Sequence, residues 1–209
     1  MNIIEQLKWR YATKSFDENA ILTEDKIHTL TQAFNLTATS YGLQPIKLIV
    51  IQNKALQHEL MQHAMNQKQI EQASHLFIFC IQTTIDKHFV NEYFNRVHTI
   101  RKTPKEILQP FEDFLINDFE NKSQKDIDIW ATNQAYLAMG NLMTVCAMED
   151  IDACPMEGFL PHKIDEALNL REKGLKSVLL MPVGYRAQDD KFAAFKKVRK
   201  NIEDAVIKW

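Results

Sequence analysis

Cysteine, glycine and proline are scarce in this 209-residue chain, at three, five and six residues. Cys80, Cys146 and Cys154 are odd in number and lie in or beside apolar runs. That argues against a disulfide framework and for a reducing, cytoplasmic setting. Their spacing pairs none of them, so no zinc or iron–sulfur centre is expected. With so little glycine there is no GxGxxG and no GxxxxGK(S/T) segment. A Rossmann dinucleotide fold and a P-loop NTPase are thereby disfavoured, and a bound phosphate must be held by side-chain cations instead of a glycine-rich nest. An excess of either charge is also lacking. Lys plus Arg number 25 against 27 Asp plus Glu, a formal balance of −2. A general nucleic-acid binder would be markedly basic. The opening residues contain no apolar core long enough for a signal peptide.

What is present is enough apolar sequence, 45%, to bury a core. No repeat or low-complexity linker divides it. Residues 3–10 read as a short helix. Thr23 followed by Glu24 and Asp25 is an N-cap with acids in the first turn, opening a helix to Asn35. Helical patterns cover 54–65, 88–100, 104–119 with Pro104 in the first turn, and 127–148. The runs IKLIVI (46–51), LFIFCI (76–81) and LKSVLLMPV (175–183) read as buried strands. The last dozen residues are amphipathic but short. Residues 129–148 carry no charge, a bilayer-spanning length, yet contain Thr132, Asn133, Gln134, Tyr136, Asn141 and Thr144. That polar load predicts a helix buried on all sides instead of a membrane span. Its small residues (Ala131, Ala135, Ala138, Gly140, Ala147) and the shared face of Gln134 and Asn141 fit a subunit interface or the centre of a monomer. His58 and His63 are five apart, one too many for a zinc-binding helix face, and read as surface histidines.

The segment Arg10-Tyr11-Ala12-Thr13-Lys14-Ser15-Phe16 places two cations four apart after a helix. Alone, a helix C-terminus that attracts cations accounts for Arg10. Four further segments accompany it: Thr39-Ser40-Tyr41-Gly42-Leu43-Gln44-Pro45, Asn66-Gln67-Lys68-Gln69, Pro155-Met156-Glu157-Gly158-Phe159 and Lys197-Val198-Arg199. In this order and spacing, over essentially the whole chain, the set resembles the FMN-dependent nitroreductase family. It is most similar to the branch of oxygen-insensitive NAD(P)H nitroreductases and dihydropteridine reductases.

The resemblance implies an α+β fold, a central β-sheet flanked by helices, with residues 1–209 forming a single nitroreductase-like FMN-binding domain. It implies an intertwined homodimer with two FMN sites at the interface and a tail, roughly 201–209, reaching over the partner. Arg10, Lys197 and Arg199 would supply the cations for the FMN phosphate, with Tyr11 and Ala12 in the same block. Lys14 would face the flavin N1 and O2 edge, where a cation stabilises the reduced ring. Asn66 and Gln69 would bond the pyrimidine edge. In the Pro155, Met156, Glu157, Gly158 loop, the backbone amide of Glu157 would donate to flavin N5, so no side chain is assigned as a catalytic acid or base. Pro155 stiffens that loop and Gly158 lets backbone approach the ring. Thr39 and Ser40 would come from the partner subunit to the ribityl chain or ring.

The implied reaction is ping-pong, two-electron hydride transfer from NADH or NADPH to nitroaromatics, quinones or related flat acceptors, with no metal and no membrane or nucleic-acid partner. A dihydropteridine or free-flavin reductase, or a flavin-binding protein with little turnover, are the alternative expectations. A non-flavin helical interaction protein is a third. Three positions depart from the family pattern. Ala12 stands where Ser is common, Gln69 where Lys is common, and Tyr41-Gly42-Leu43 replaces a more polar run. Phe111, Phe114 and Phe119 are the candidates for an aromatic lid, and amphipathic core packing explains them equally well.

Overall fold

The computed structural model describes residues 2–209. In chain order its helices are α1 (Ile3–Trp9), α2 (Glu24–Asn35), α3 (Lys54–Gln62), α4 (Gln69–Gln72), α5 (Lys87–Arg101), α6 (Lys105–Glu120), α7 (Gln124–Met148), α8 (Pro161–Ala167) and α9 (Ile202–Ala205). The strands are β1 (Ile46–Ile51), β2 (His75–Gln82), β3 (Asp152–Ala153) and β4 (Leu175–Gly184). They form one sheet in the order β1-β2-β4-β3, and every pair is antiparallel.

The alternation of β2 builds the layers. A strand sends successive side chains to opposite faces. Phe77, Phe79 and Ile81 point to one side, where they meet Leu30 of α2 and Ala131, Ala135, Ala138 and Leu142 of α7. Leu76, Ile78 and Cys80 point to the other, where they meet Leu60, Ile70, Phe159 and Ile164. With both faces covered, all six are fully buried. Burial of each Phe or Leu contributes about 1.5–3 kcal/mol, so this strand is the hydrophobic spine of the fold. A third cluster joins α5 and α6 through Val90, Phe94, Leu115 and Phe119, with Leu43 and Ile127 closing its base.

The helices start where capping side chains occur. Thr23, Asn53, Asp86 and Ser123 each accept a hydrogen bond from the amide three residues on, those of Lys26, Leu56, Phe89 and Asp126. This satisfies a donor that the first turn leaves without an intrahelical partner.

Several boundaries differ from the sequence reading. Pro104 is the N-cap of α6 instead of a first-turn residue, and Pro110 lies within that helix. The helix expected to reach residue 65 ends at Gln62, because Met65 and Asn66 adopt left-handed backbone (φ 57° and 52°). β3 and α8 were not legible in the sequence, and of the last dozen residues only α9 is helical. The long helix α7 is not buried on all sides within one chain. Ile129, Tyr136 and Leu137 are about half exposed along one stripe, and a Cβ added at Gly140 would meet nothing within 4 Å. Gln134 and Asn141 instead serve the chain itself. Gln134 accepts the Ser40 amide, and Asn141 donates to the Ala33 carbonyl and the Thr37 hydroxyl. Among the described residues no helix is long and apolar enough to cross a membrane.

Candidate functional site

Residues 11–17 run as an irregular rib along the β3 edge of the sheet and past the end of β4. Ala12 bridges to Ala153, Phe16 bridges to Arg186, and the amides of Asp17 and Ala187 donate to the carbonyls of Tyr185 and Ser15. Arg10, the C-cap of α1, thereby stands beside the segment that leaves β4 for the C-terminus. The two meet across a cleft of about 470 Å³ lined by Arg10, Tyr11, Ala12, Lys14 and Pro155 on one side. Phe192, Phe195 and the run Lys196 to Arg199 line the other. Lys197 Nζ donates to the Arg10 carbonyl, a contact between residues 187 positions apart.

Cations crowd this cleft. Burial and then the nearby Arg199 hold the Arg10 pKa below its ordinary value. Burial, then Arg10, Arg199 and Arg186, do the same for Lys197. Without an anion the cluster repels itself, and a dianion placed among these charges would relieve that cost. Arg186 is already neutralised. It pairs with buried Asp152, Nε donating to both carboxylate oxygens (2.9 Å to Oδ1, 3.1 Å to Oδ2) and Nη2 lying 2.7 Å from Oδ1. Its guanidinium lies 4.2 Å and 4.7 Å from the ring centres of Trp9 and Tyr11. Stacking and carboxylate pairing of this kind fix a guanidinium in place.

Asp190 ties the two walls together. Its Oδ2 accepts from the Tyr11 hydroxyl (2.9 Å), the Lys14 amide (2.9 Å) and the Ser15 amide (3.1 Å), and its Oδ1 from the Phe192 amide (3.0 Å). Burial pushes its pKa up, but these donors outweigh burial and hold it below the ordinary carboxylate value. The same bond and burial push the Tyr11 phenol well up.

Further along the cleft, Lys14 Nζ lies 3.8 Å from Cys154 Sγ. Burial pushes that thiol up, against the pull of Lys14 and Gln69. Gln69 is buried and donates to Gln67 Oε1 (3.2 Å), whose own amide donates to the Gly158 carbonyl (2.9 Å). Asn66 is exposed on the left-handed turn just before. Met156 is buried and exchanges both backbone bonds with Leu180. Glu157 is exposed, and its carboxylate accepts from the Tyr136 hydroxyl at 2.7 Å. Among the described residues the Glu157 amide has no acceptor. It is a donor without a partner on a loop held by Tyr136, Gln67 and Leu180.

Thr39 and Ser40 are not among the residues lining this cleft. They belong to a turn in which Tyr41, Gly42 and Gln44 all have positive φ, held by Thr39 Oγ1 to the Gln44 amide and by Gln134 to the Ser40 amide. Tyr41 stacks on Trp130 and contacts Phe111, which stacks on Phe114. Phe111 and Phe114 are about half exposed, whereas Phe119 is buried against Trp130. Of the three lid candidates, Phe119 is therefore core.

Asp190, Arg186 with Asp152, Gln67 and Tyr136 were not found by reading the sequence. An acid before a short turn reads only as a cap, and Asp190 does cap the turn Lys191–Ala194.

Several known proteins resemble this chain. Residues 7–185 match the model of the Nitroreductase family. A Bacillus subtilis protein with the provisional name NAD(P)H nitroreductase YfkO is 31% identical over 99% of this chain and 96% of its own. A similarly named Staphylococcus epidermidis protein, SERP2086, is 31% identical over the same shares. Among solved structures, Bacillus subtilis ydfN superposes with a TM-score of 0.88 at 16% identity, covering 99% of this chain and 98% of that one. A provisional nitroreductase of Exiguobacterium sibiricum, solved in complex with FMN, superposes at 0.86 and 20% identity, covering 100% and 97%.

Proposed function

This chain belongs to the nitroreductase family, and from that premise we propose that it is an NAD(P)H-dependent oxidoreductase carrying FMN and reducing nitroaromatics, quinones or similar flat acceptors. The observation that carries the reading is the convergence of Arg10 with Lys197 and Arg199, from opposite ends of the chain, on one cleft. Burial and then neighbouring cations depress the pKa of Arg10 and of Lys197, and among the described residues no carboxylate forms an ion pair with either, an arrangement that fits an anionic group. The phosphate of FMN suits it. The scarcity of glycine-built phosphate loops makes side-chain cations the means available.

When bound, FMN supplies a ring that accepts and returns two electrons as hydride. The chain's own residues bind and orient it. Arg10, Lys197 and Arg199 would grip the phosphate, with Tyr11 and Ala12 along the same wall. Lys14 is the cation for the pyrimidine edge, with Asn66 and Gln69 as its polar neighbours. Pro155, Met156 and Gly158 carry the unpartnered Glu157 amide, the donor suited to N5. Exposed Phe111, Phe114 and Tyr41 form an aromatic wall that suits flat acceptors.

Residues 1–209 act as one FMN-binding unit in a homodimer, in the cytoplasm, where three free buried thiols are at home. The half-exposed stripe of α7 and the open space over Gly140 are the surface for a second copy. Thr39 and Ser40, anchored on α7, would enter the partner's site. The exposed apolar residues Phe195, Val198, Ile202, Ile207 and Trp209 would lie against the partner.

An absorbance spectrum of the purified protein, before and after anaerobic NADH or NADPH, tests the reading. The expected result is a yellow protein bleached by the nicotinamide. A colourless protein that takes up no FMN on reconstitution refutes it.

A further inference from the structure

We propose that Asp190 is a positioning residue that clasps the two ends of the chain so that Arg10 and the Lys197–Arg199 pair address one phosphate. This rests on the FMN reading above. The argument is geometric. Asp190 is buried, and all four of its partners are donors. Three of them, Tyr11 Oη and the amides of Lys14 and Ser15, belong to the wall that carries Arg10. The fourth, the Phe192 amide, opens the segment that carries Lys197 and Arg199. Those two walls bear like charges that push them apart. A charge-assisted acceptor serving both sides is what opposes that push.

The two roles open to Asp190 predict opposite signs. If it acted only as a charge, its removal would leave the cleft more positive and tighten the hold on a phosphate dianion. If it positions the walls, its removal loosens that hold. Asparagine separates the two. It is nearly the same shape, but one of its two ends is an NH₂. With its oxygen turned to residues 11–15, the NH₂ meets the Phe192 N–H, donor against donor, and the turn Lys191–Ala194 that leads to Lys197 and Arg199 loses its cap.

The test uses the full chain, stripped of flavin, titrated with FMN and with riboflavin, which lacks the phosphate. Wild type, Asp190→Asn and Tyr11→Phe are compared, with thermal unfolding as a check on folding. Asp190→Asn is expected to weaken FMN about tenfold or more, the scale of a lost charged phosphate contact, while changing riboflavin less than about twofold. FMN affinity that is unchanged or tighter overturns the proposal. So does an equal loss for both ligands, which marks a general structural role. Should Asp190→Asn not fold, Tyr11→Phe decides, since it removes one arm of the clasp and leaves the three backbone anchors. It is expected to lower the preference for FMN over riboflavin about threefold, less than the full worth of a charge-assisted bond because those anchors remain. An unchanged preference overturns the proposal. A wild type that takes up neither ligand overturns the flavoprotein reading itself. A wild type that prefers FMN, with variants that keep that preference, overturns the clasp alone.

Discussion

Replacing Arg10 with glutamine separates holding a ligand from holding the fold. In the protein without flavin, burial and Arg199 both disfavour the Arg10 charge, and among the described residues no carboxylate pairs with it. Arg10→Gln should therefore leave the flavin-free protein about as stable as wild type. The loss of some packed stem is offset by relief of repulsion. With FMN bound the sign reverses. A hydrogen bond to a charged group is worth about 1.5–3 kcal/mol, and its loss raises Kd by about 10- to 150-fold. The assay is thermal unfolding with FMN at 100 times the wild-type Kd. That excess stabilises wild type by about 2.7 kcal/mol. A 209-residue chain gains about 2–4 °C per kcal/mol, so the wild-type shift is about 5–11 °C. A loss of about 2 kcal/mol in the variant leaves about 0.9 kcal/mol, and a shift of about 2–4 °C. Added salt should shrink the wild-type shift more than the variant's. The reasoning is refuted if Arg10→Gln keeps the full FMN shift, or if its flavin-free form melts far below wild type.

Four other outcomes follow from the packing. Phe119→Ala should cost about 3–5 kcal/mol in urea unfolding because Phe119 is buried. Phe111→Ala and Phe114→Ala, at half-exposed positions, should change stability little and alter KM for aromatic acceptors. Burial pushes Cys80 and Cys146 up to about 12 from 9.0, and raises Cys154 as well. The folded state keeps these protons where the unfolded chain releases them. Each thiol thus subtracts about 1.4 kcal/mol of stability per pH unit as pH climbs above its unfolded value, and thiol reagents should react only after denaturant is added. Leu137→Glu, in the exposed stripe of α7, should convert a dimer to a monomer in sedimentation experiments and reduce FMN retention with it.

How much of this was legible in the sequence depended on the range of the interaction. β2 was readable because every residue from Leu76 to Ile81 is apolar and both of its faces are covered. The N-cap at Thr23 was readable because the capping hydroxyl and the amide that donates to it are three residues apart. β3 was not, since two residues carry no period. They are a strand only because β4 offers a free edge. Helix α3 stopped early for a backbone reason that composition does not reveal, the left-handed turn at Met65 and Asn66. The cations Arg10, Lys197 and Arg199 were readable as a set only through family resemblance. The acid that joins their walls was not readable at all. The partners of Asp190 on the N-terminal rib lie 175 to 179 positions away.

The same contrast bears on how a second copy would complete the proposed site. The ends of the polypeptide meet because residues 11–17 lie along the sheet, so the cation-lined cleft is built within one chain. The turn holding Thr39 and Ser40 is fixed elsewhere, by Gln134 on α7, a few positions from the exposed stripe of Tyr136 and Leu137. Tyr136 in turn donates to the Glu157 carboxylate, on the loop whose Glu157 amide has no acceptor among the described residues. A second copy seated on α7 would therefore press on Tyr136, and through it on the donor intended for the flavin ring. Assembly and cofactor orientation then share one hydrogen bond. Tyr136→Phe should leave the phosphate grip intact, seen as unchanged FMN affinity relative to riboflavin, while shifting the midpoint potential of the bound flavin. An unchanged potential would mean that the loop is held by Gln67 and Leu180 alone, and that the subunit contact does not reach the ring.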